Sequence, residues 1–128
     1  MPWVRVQPGG DFRVGGDFRV VQLTPPGSAC SVQIGTGLTD AAPGSARTTC
    51  LAVTDIEAAR RELAERGVDV SAIRHKSPID DWKGGWQAGV DPQRPDYASL
   101  AGFADPDGNT WVLQEIGFRP PGTATRPG

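Results

Sequence analysis

Hydrophobic and polar positions in the C-terminal two thirds of the chain follow two different periods. Thr48 to Val53 is a continuous apolar run, which predicts a strand buried on both faces. Directly after it, Ile56, Ala59 and Leu63 recur at the three- and four-residue spacing of one helix face. The pattern therefore changes from strand to helix near residue 54.

The predicted helix has a start signal and a stop signal. Thr54 and Glu57 match a capping box, in which the Thr54 hydroxyl binds free backbone amides and the acidic residue lies three positions on. Gly67 follows the last helical position, where a left-handed backbone ends a helix. Ion pairs between residues four apart are predicted for Glu57–Arg61 and Glu62–Arg66.

The rest of this part of the chain predicts strands around one long loop. Val68 to His75 predicts a strand, and Lys76 to Asp96 a loop. Because loops above about 15 residues are uncommon unless functional or disordered, this one is a candidate lid or pocket wall. Tyr97–Ala104 and Thr110–Ile116 predict two strands joined by the turn Asp105–Asn109. Residues 48–116 therefore predict the order β-α-β-β-β.

The N-terminal part of the chain predicts strands and no helix. Phe18–Leu23 and Ala29–Ile34 predict an antiparallel hairpin. The first 16 residues look irregular, although Gly9–Val14 is repeated at once as Gly15–Val20. That repeat indicates a local duplication or a two-stranded hairpin with a Gly-Gly turn. One α/β crossover beside antiparallel strands predicts the α+β class.

Composition and charge narrow the possible functions. A length of 128 residues predicts one domain over 1–128, and 17 Gly with 12 Pro suit short strands joined by tight turns. A net charge of −2 gives no basic field for a phosphate backbone, so we expect no nucleic-acid partner. No apolar run approaches the roughly 20 residues of a membrane helix, so we expect no membrane and a cytoplasmic location. Cys30 and Cys50 are isolated, which predicts small buried hydrophobes rather than a disulfide or a reactive thiol.

Several segments together resemble one known family. The helix start Val53–Ala59, the stretch Phe103–Trp111 around the Asp-Pro-Asp-Gly turn, and the element order are similar to the second module of the vicinal-oxygen-chelate superfamily. That superfamily includes glyoxalases, bleomycin resistance proteins and dioxygenases. Val20–Ser28 also resembles the late strands of the first module. The resemblance covers about residues 11–116.

The resemblance implies a glyoxalase/bleomycin-resistance-like curled mixed sheet made from two modules around a shared pocket. Residues 11–35 match a partial first module of strands only, 36–46 a linker, 47–116 the second βαβββ module, and 117–128 a flexible tail. The first strand and helix of the first module are not matched. Because a sheet without its first strand has an exposed edge, we expect a homodimer.

The resemblance also specifies where a divalent metal would bind. Family enzymes hold Zn, Ni, Mn or Fe with His and Glu side chains, and two adjacent substrate oxygens chelate the ion. The position that matches the His of the second module is Thr48, and the position that matches its Glu is Val112. Gln33 is the nearest polar candidate on the first module. Val has no donor atom and a neutral Thr binds such ions poorly, so we predict no metal site and no cofactor.

The remaining candidate residues are those of a binding pocket. His75 is the one histidine; we expect a surface or hydrogen-bonded His, and a proton-transfer role in the pocket is the alternative. The aromatic residues of the long loop either anchor it or stack on a flat ligand. Gln114 is expected to share the face of Val112, because side chains alternate along a strand. The candidate ligand-binding residues are Gln33, Thr48, Cys50, His75, Trp82, Trp86, Tyr97, Val112 and Gln114.

Three functions remain compatible with the sequence. The first, which we favour, is a metal-independent binder of a small apolar or aromatic molecule. The second is a glyoxalase-type lyase, isomerase or dioxygenase that uses a divalent metal. The third is a truncated family member with a structural or regulatory role. Whether the protein is an enzyme is left open by these residues.

Overall fold

The computed structural model describes residues 5–14, 18–76 and 85–120, and side chains from residue 19 onward. The chain divides into two compact units between Ala42 and Pro43, within the predicted linker 36–46. Each unit contains its own β-sheet.

The first unit is a three-stranded antiparallel sheet. Its strands are β1 (Arg5–Val14), β2 (Phe18–Thr24) and β3 (Val32–Thr36), in the spatial order β1-β2-β3. The expected hairpin after residue 18 is therefore confirmed, but its second strand begins at Val32 rather than Ala29. The displaced residues belong to the connection instead, in which the Cys30 amide donates to the Ser28 hydroxyl at 3.0 Å.

The prediction that the first 16 residues are irregular is wrong. Strand β1 begins at Arg5, before the expected module start at residue 11, and Val14 pairs with Phe18. Phe12–Val14 of the first copy thus pairs with Phe18–Val20 of the second, as the hairpin alternative predicted, while its expected Gly-Gly turn lies outside the described residues. A register shift between Val6 and Asp11 accommodates Pro8–Gly10, since Pro and Gly in strands favour bulges.

The second unit is a five-stranded mixed sheet with one helix among its described residues. Strand β4 pairs in parallel with β8, and the other neighbours are antiparallel, which confirms the predicted α+β class. The spatial order is β4-β8-β7-β5-β6. The elements are β4 (Thr49–Val53), α1 (Ile56–Glu65), β5 (Arg74–Lys76), β6 (Trp86–Ala88), β7 (Ser99–Ala104) and β8 (Thr110–Glu115).

The long loop was predicted incorrectly in one respect, because it contains an additional strand. Trp86–Ala88 pairs with Arg74–Lys76 as an outer strand of the sheet, so the order is β-α-β-β-β-β. The strand predicted over Val68–His75 shortens to three residues for the same reason: β5 pairs only where β6 and β7 meet it. Trp82 lies outside the described residues.

Strand β4 is not buried on both faces, as its apolar sequence predicted. Its side chains alternate in exposure, and those of Cys50 and Ala52 are exposed. Cys30 is exposed as well, so the prediction of two buried cysteines is wrong. Strand β4 lies at the edge of the sheet, and its Cys50 and Ala52 side chains lie on the face opposite the helix.

The helix begins one residue later than the capping box predicted. Asp55, not Thr54, is the N-cap, and its Oδ1 accepts from the Ala58 amide at 3.1 Å. The amide of Ile56 donates to Oε2 of Glu115 at 2.9 Å, so a carboxylate from the sheet satisfies a second free donor. The stop is confirmed, since Gly67 has the left-handed φ of 88°.

The core of the second unit lies between α1 and one face of the sheet. Ile56, Leu113 and Ala101 are fully buried there, and Ala59 and Leu63 nearly so. Ile56, Ala59 and Leu63 are the helical positions that the hydrophobic spacing predicted to be buried. Among the described residues, no helix combines the length and apolar character needed to cross a membrane.

Candidate functional site

The sheet of the second unit has one face under the helix and one face without a helix. Leu113 and Glu115 of β8 are buried on the helix side, whereas Val112 and Gln114 point to the other side and are half-buried. The predicted alternation along this strand is thus confirmed. We call the second side the Gln114 face. Residues directly opposite each other in register share a face, which adds Cys50, Ala52, Arg74, Lys76, Trp86, Ala88, Leu100 and Gly102.

The Gln114 side chain is held in one orientation by two neighbours. Its Oε1 accepts from the Cys50 thiol at 3.3 Å, and its Nε2 donates to the Tyr97 carbonyl at 3.0 Å. A carboxamide oxygen has two lone pairs and its nitrogen two protons, so one acceptor and one donor position remain for another molecule. Sequence reasoning identified Gln114, and the structure adds the contacts that orient it.

Cys50 forms part of this face as a neutral thiol. Burial raises the pKa of the Cys50 thiol above its ordinary value, because partial desolvation disfavours the thiolate. Nucleophilic chemistry and tight metal binding both use the thiolate. Cys50 therefore contributes a small, weakly polar surface and a hydrogen bond to Gln114.

Val112 and Thr48 do not fit a divalent metal. Val112 pairs with Cys50 and has no donor atom. The Thr48 amide donates to the Thr110 hydroxyl at 2.7 Å, and Thr48 has a positive φ of 51° just before β4. Within the described residues, no three His, Cys, Asp or Glu side chains are grouped so that they could share a metal ion.

His75 is brought to the opposite face from Val112 and Gln114. Its register partner is the buried Ser99, and its own side chain is only 7% exposed. The ring Nδ1 lies 2.8 Å from the Gly89 carbonyl oxygen. This is the hydrogen-bonded histidine that was expected, and the strand alternation separates it from the Gln114 face.

The aromatic candidates lie at two different places. Trp86 is 42% exposed on β6 at the edge of the sheet, and two cations contact it. Tyr97 is 55% exposed and has a positive φ of 72°; its backbone, rather than its ring, contacts Gln114. Gln33 is in the first unit, where its Nε2 donates to Gln22 at 3.3 Å.

Arg74 was missed by sequence reasoning. It is half-buried on β5, its guanidinium carbon lies 4.8 Å from the centroid of the Trp86 ring, and its register partners are Leu100 and Ala88. The sequence did not indicate on which face of the sheet Arg74 lies, because that face depends on the register between β5 and β7. That register is set across a loop of more than 20 residues.

Asp105 explains why the turn before β8 is so well defined. Its carboxylate accepts from the Trp111 indole at 3.0 Å, from the Asn109 side chain at 2.9 Å and from the amides of Asp107 and Asn109. Burial alone would raise the pKa of Asp105, but the hydrogen bonds donated by Trp111, Asn109 and Asp107 outweigh it and hold that pKa below its ordinary value. The turn thus fixes the register between β7 and β8, in which Leu100 lies opposite Gln114 and Gly102 opposite Val112.

Comparisons with known proteins support the fold. No protein-family model matches the sequence, and no curated protein matches it. Among solved structures, TnmS3, an antibiotic binding protein from Streptomyces sp. CB03234, is 26% identical; the match covers 88% of this chain and 74% of that one, with a TM-score of 0.59. A glyoxalase/bleomycin resistance protein from the same organism is also 26% identical, over 88% and 79% of the two chains, with a TM-score of 0.60. The fold is that of the glyoxalase/bleomycin resistance proteins, and the resemblance predicted from the sequence is confirmed.

Proposed function

We propose that this protein, which has the glyoxalase/bleomycin resistance fold, binds a small aromatic molecule on the Gln114 face without using a metal. The observation that carries the proposal is the composition of that face. It combines the small or apolar side chains of Cys50, Val112 and Leu100 with one carboxamide held in a fixed orientation. Ligand sites are mostly apolar surfaces with a few oriented polar groups.

The chemistry of the face favours binding over catalysis. The Cys50 thiol is neutral, His75 lies on the opposite face, and Val112 and Thr48 offer no metal-ligand pair. The face does offer one donor and one acceptor at Gln114 beside apolar carbon. The groups around Gln114 orient a ligand but do not supply a nucleophile or a proton-transfer group.

Similarity to other proteins also supports ligand binding rather than catalysis. One structural neighbour is described as an antibiotic binding protein and another as a glyoxalase/bleomycin resistance protein. A protein that sequesters a drug-like molecule needs a complementary surface and no reactive group. We propose the same class of role here, with the ligand bound unchanged.

A thermal-shift screen of chelator-treated protein tests the proposal. We expect aromatic natural products to raise the unfolding midpoint, because a ligand that binds only the folded state stabilises it. Val112→Trp would fill the face and should abolish the shift, whereas Ala64→Trp, on the exposed side of α1, should preserve it. Circular dichroism of the two variants checks that each is folded before its ligand shift is interpreted.

Two results would contradict the proposal. A ligand shift that persists in a folded Val112→Trp protein would place the ligand elsewhere. Ligand binding that appears only after Zn, Ni, Mn or Fe is added would favour the metal-dependent alternative. The predicted homodimer stays a prediction, and light scattering at micromolar concentration tests it.

A further inference from the structure

We propose that the ligand is an aromatic acid, a carboxylate or phenolate on a fused ring system, and that Arg74 and Trp86 bind its acidic end. This inference rests on the proposed function and names the ligand class for the same face.

Arg74 is a half-buried cation with an aromatic partner. Its guanidinium carbon is 4.8 Å from the Trp86 ring centroid, a distance at which the negative face of the ring attracts a cation. In the part of the chain that the structure describes, no carboxylate pairs with Arg74. The stacked guanidinium keeps its in-plane N–H donors for a further partner, and a planar fork of donors matches a carboxylate.

Lys76 adds a second positive charge at the same place. Its Nζ is 4.9 Å from the Trp86 ring centroid, and its side chain is only 2% exposed. Lys76 and Trp86 are direct register partners, and Arg74 precedes Lys76 by two residues on the same face. Two cationic side chains thus lie within about 5 Å of one indole at this end of the face.

The sheet register gives the length of the ligand. Gln114, Leu100 and Arg74 follow one another across β8, β7 and β5 as successive register partners. Neighbouring strands are about 4.8 Å apart, so Gln114 and Arg74 are separated by about 10 Å at the backbone. Leu100 supplies apolar surface between them. A naphthalene-sized ring system with an acid at one end and a hydrogen-bonding group at the other spans that distance.

The exposed surface of the Trp86 indole favours an aromatic acid over an aliphatic acid as the ligand. The indole remains 42% exposed although two cations contact it. An exposed indole edge or face adjoining Arg74 can pack against a flat ring whose acid group reaches the guanidinium. An aliphatic acid would use the charge but not this surface.

A matched pair of probes tests the inference. We would measure the dissociation constants of 6-hydroxy-2-naphthoate and of its neutral amide, 6-hydroxy-2-naphthamide, by calorimetry on the whole chain. We expect the acid to bind about tenfold more tightly, since a charge-assisted hydrogen bond is stronger than a neutral one. Arg74→Gln should reduce the difference to about twofold, and Arg74→Lys should retain only part of it, because Lys keeps the charge but not the planar fork of donors.

The control variant has the same net charge as Arg74→Gln, but its substitution lies away from the Gln114 face. Arg61→Gln removes one positive charge from the exposed side of α1 and should leave the preference for the acid unchanged. Raising the salt concentration should weaken the binding of the acid but not the binding of the amide, because salt screens the attraction between opposite charges. The unfolding midpoint of ligand-free Arg74→Gln shows whether the variant is folded.

The outcomes separate this inference from the proposed function. Equal affinities of acid and amide that Arg74→Gln does not alter would overturn the inference, while binding of both would uphold the proposed function. An acid preference that Arg61→Gln abolishes as fully as Arg74→Gln would also overturn it. No binding of either probe or of any aromatic compound in the thermal-shift screen would reject both.

Discussion

Arg94 donates two hydrogen bonds to Glu115: its Nε lies 3.0 Å from Oε1, and its Nη2 lies 2.6 Å from Oε2. Glu115 is 1% exposed, and its Oε2 also accepts from the Ile56 amide at the start of α1. The hydrogen bond to Glu115 raises the pKa of Arg94, although burial opposes this, so the guanidinium is always charged. One ion pair thus connects the last strand, the long loop and the helix.

We predict that Arg94→Gln lowers the free energy of unfolding by about 3 kcal/mol, because removing one partner leaves a buried charge unpaired. The variant also loses the stacking of the guanidinium on Phe118, 3.4 Å from the ring centroid, and the pairing with Glu57. Urea unfolding measures the change.

The matched control is Arg66→Gln, which removes the pair with Glu62 on α1, where the Arg66 side chain is 53% and the Glu62 side chain 25% exposed. Because solvent screens this pair more than the Arg94–Glu115 pair, the control should cost clearly less than Arg94→Gln. Equal effects of the two variants would show that the Arg94–Glu115 pair has no special role in stability.

Asp105 should make the stability of the protein depend on pH. Because its pKa is lowered in the folded state, its contribution is present above the ordinary Asp pKa of about 3.9. That contribution is lost as the pH falls through the lower pKa of the folded state. Asp105→Asn should lower the unfolding midpoint at pH 7, and its difference from the parent protein should shrink below pH ~4.

Asp107→Asn serves as the control for that experiment, since Asp107 is an exposed carboxylate of the same turn. It should lower the unfolding midpoint at pH 7 less than Asp105→Asn does, because the hydrogen bonds that hold the turn are accepted by the Asp105 carboxylate. A constant difference between Asp105→Asn and the parent protein from pH 7 to 3 would rule out the proposed contribution of the charged carboxylate.

Alanine substitutions at Gly44 and Gly67 distinguish the cost of a steric clash from the cost of a strained backbone. Both have a left-handed φ, of 77° and 88°, but a Cβ on Gly44 would lie 2.0 Å from the Asp107 carbonyl oxygen, whereas one on Gly67 would meet nothing within 4 Å. Gly67→Ala should cost about 1 kcal/mol from conformation alone. Gly44→Ala should cost more than about 2 kcal/mol, because the segment before β4 must move away from the Asp105–Asn109 turn. Similar unfolding midpoints for the two variants would show that the turn tolerates that movement.

Removing metal should leave the function intact. We expect chelator-treated protein to bind its aromatic ligand with the same dissociation constant as untreated protein, because no residue at the matched positions Thr48 and Val112 fits a metal ion. Elemental analysis of protein purified without chelator checks the premise. Stoichiometric Ni, Zn, Mn or Fe, or loss of affinity on chelation, would contradict it.

Local signals predicted the parts of the fold that depend on neighbouring residues. The helix spacing of Ile56, Ala59 and Leu63 and the turn Asp105–Asn109 are both recognisable from short windows, and both are present. The turn also set the alternation of β8, from which Gln114 could be assigned to a face. These predictions succeeded because their physical causes act within a few residues.

The features that sequence reasoning missed are those decided by distant partners. The helix N-cap moved from Thr54 to Asp55 where Glu115, 59 residues further on, supplies a hydrogen-bond acceptor to Ile56. Strand β6 forms because it pairs with β5. With only three residues, it is too short to show a recognisable hydrophobic pattern in the sequence. Arg74 was overlooked for the same reason, since only the register between β5 and β7 assigns it to a face.

Methyl-resolved NMR of the chelator-treated protein, titrated with an aromatic ligand from the thermal-shift screen, tests the central claim most directly. Leu100 and Val112 carry methyl groups on the Gln114 face, whereas Leu113 and Leu63 are buried between the sheet and the helix. We predict ring-current shifts of the Leu100 and Val112 methyl signals that saturate with ligand, and small changes at Leu113 and Leu63. Saturable shifts confined to Leu113 and Leu63, or none at Leu100 and Val112 while the ligand binds, would contradict the account.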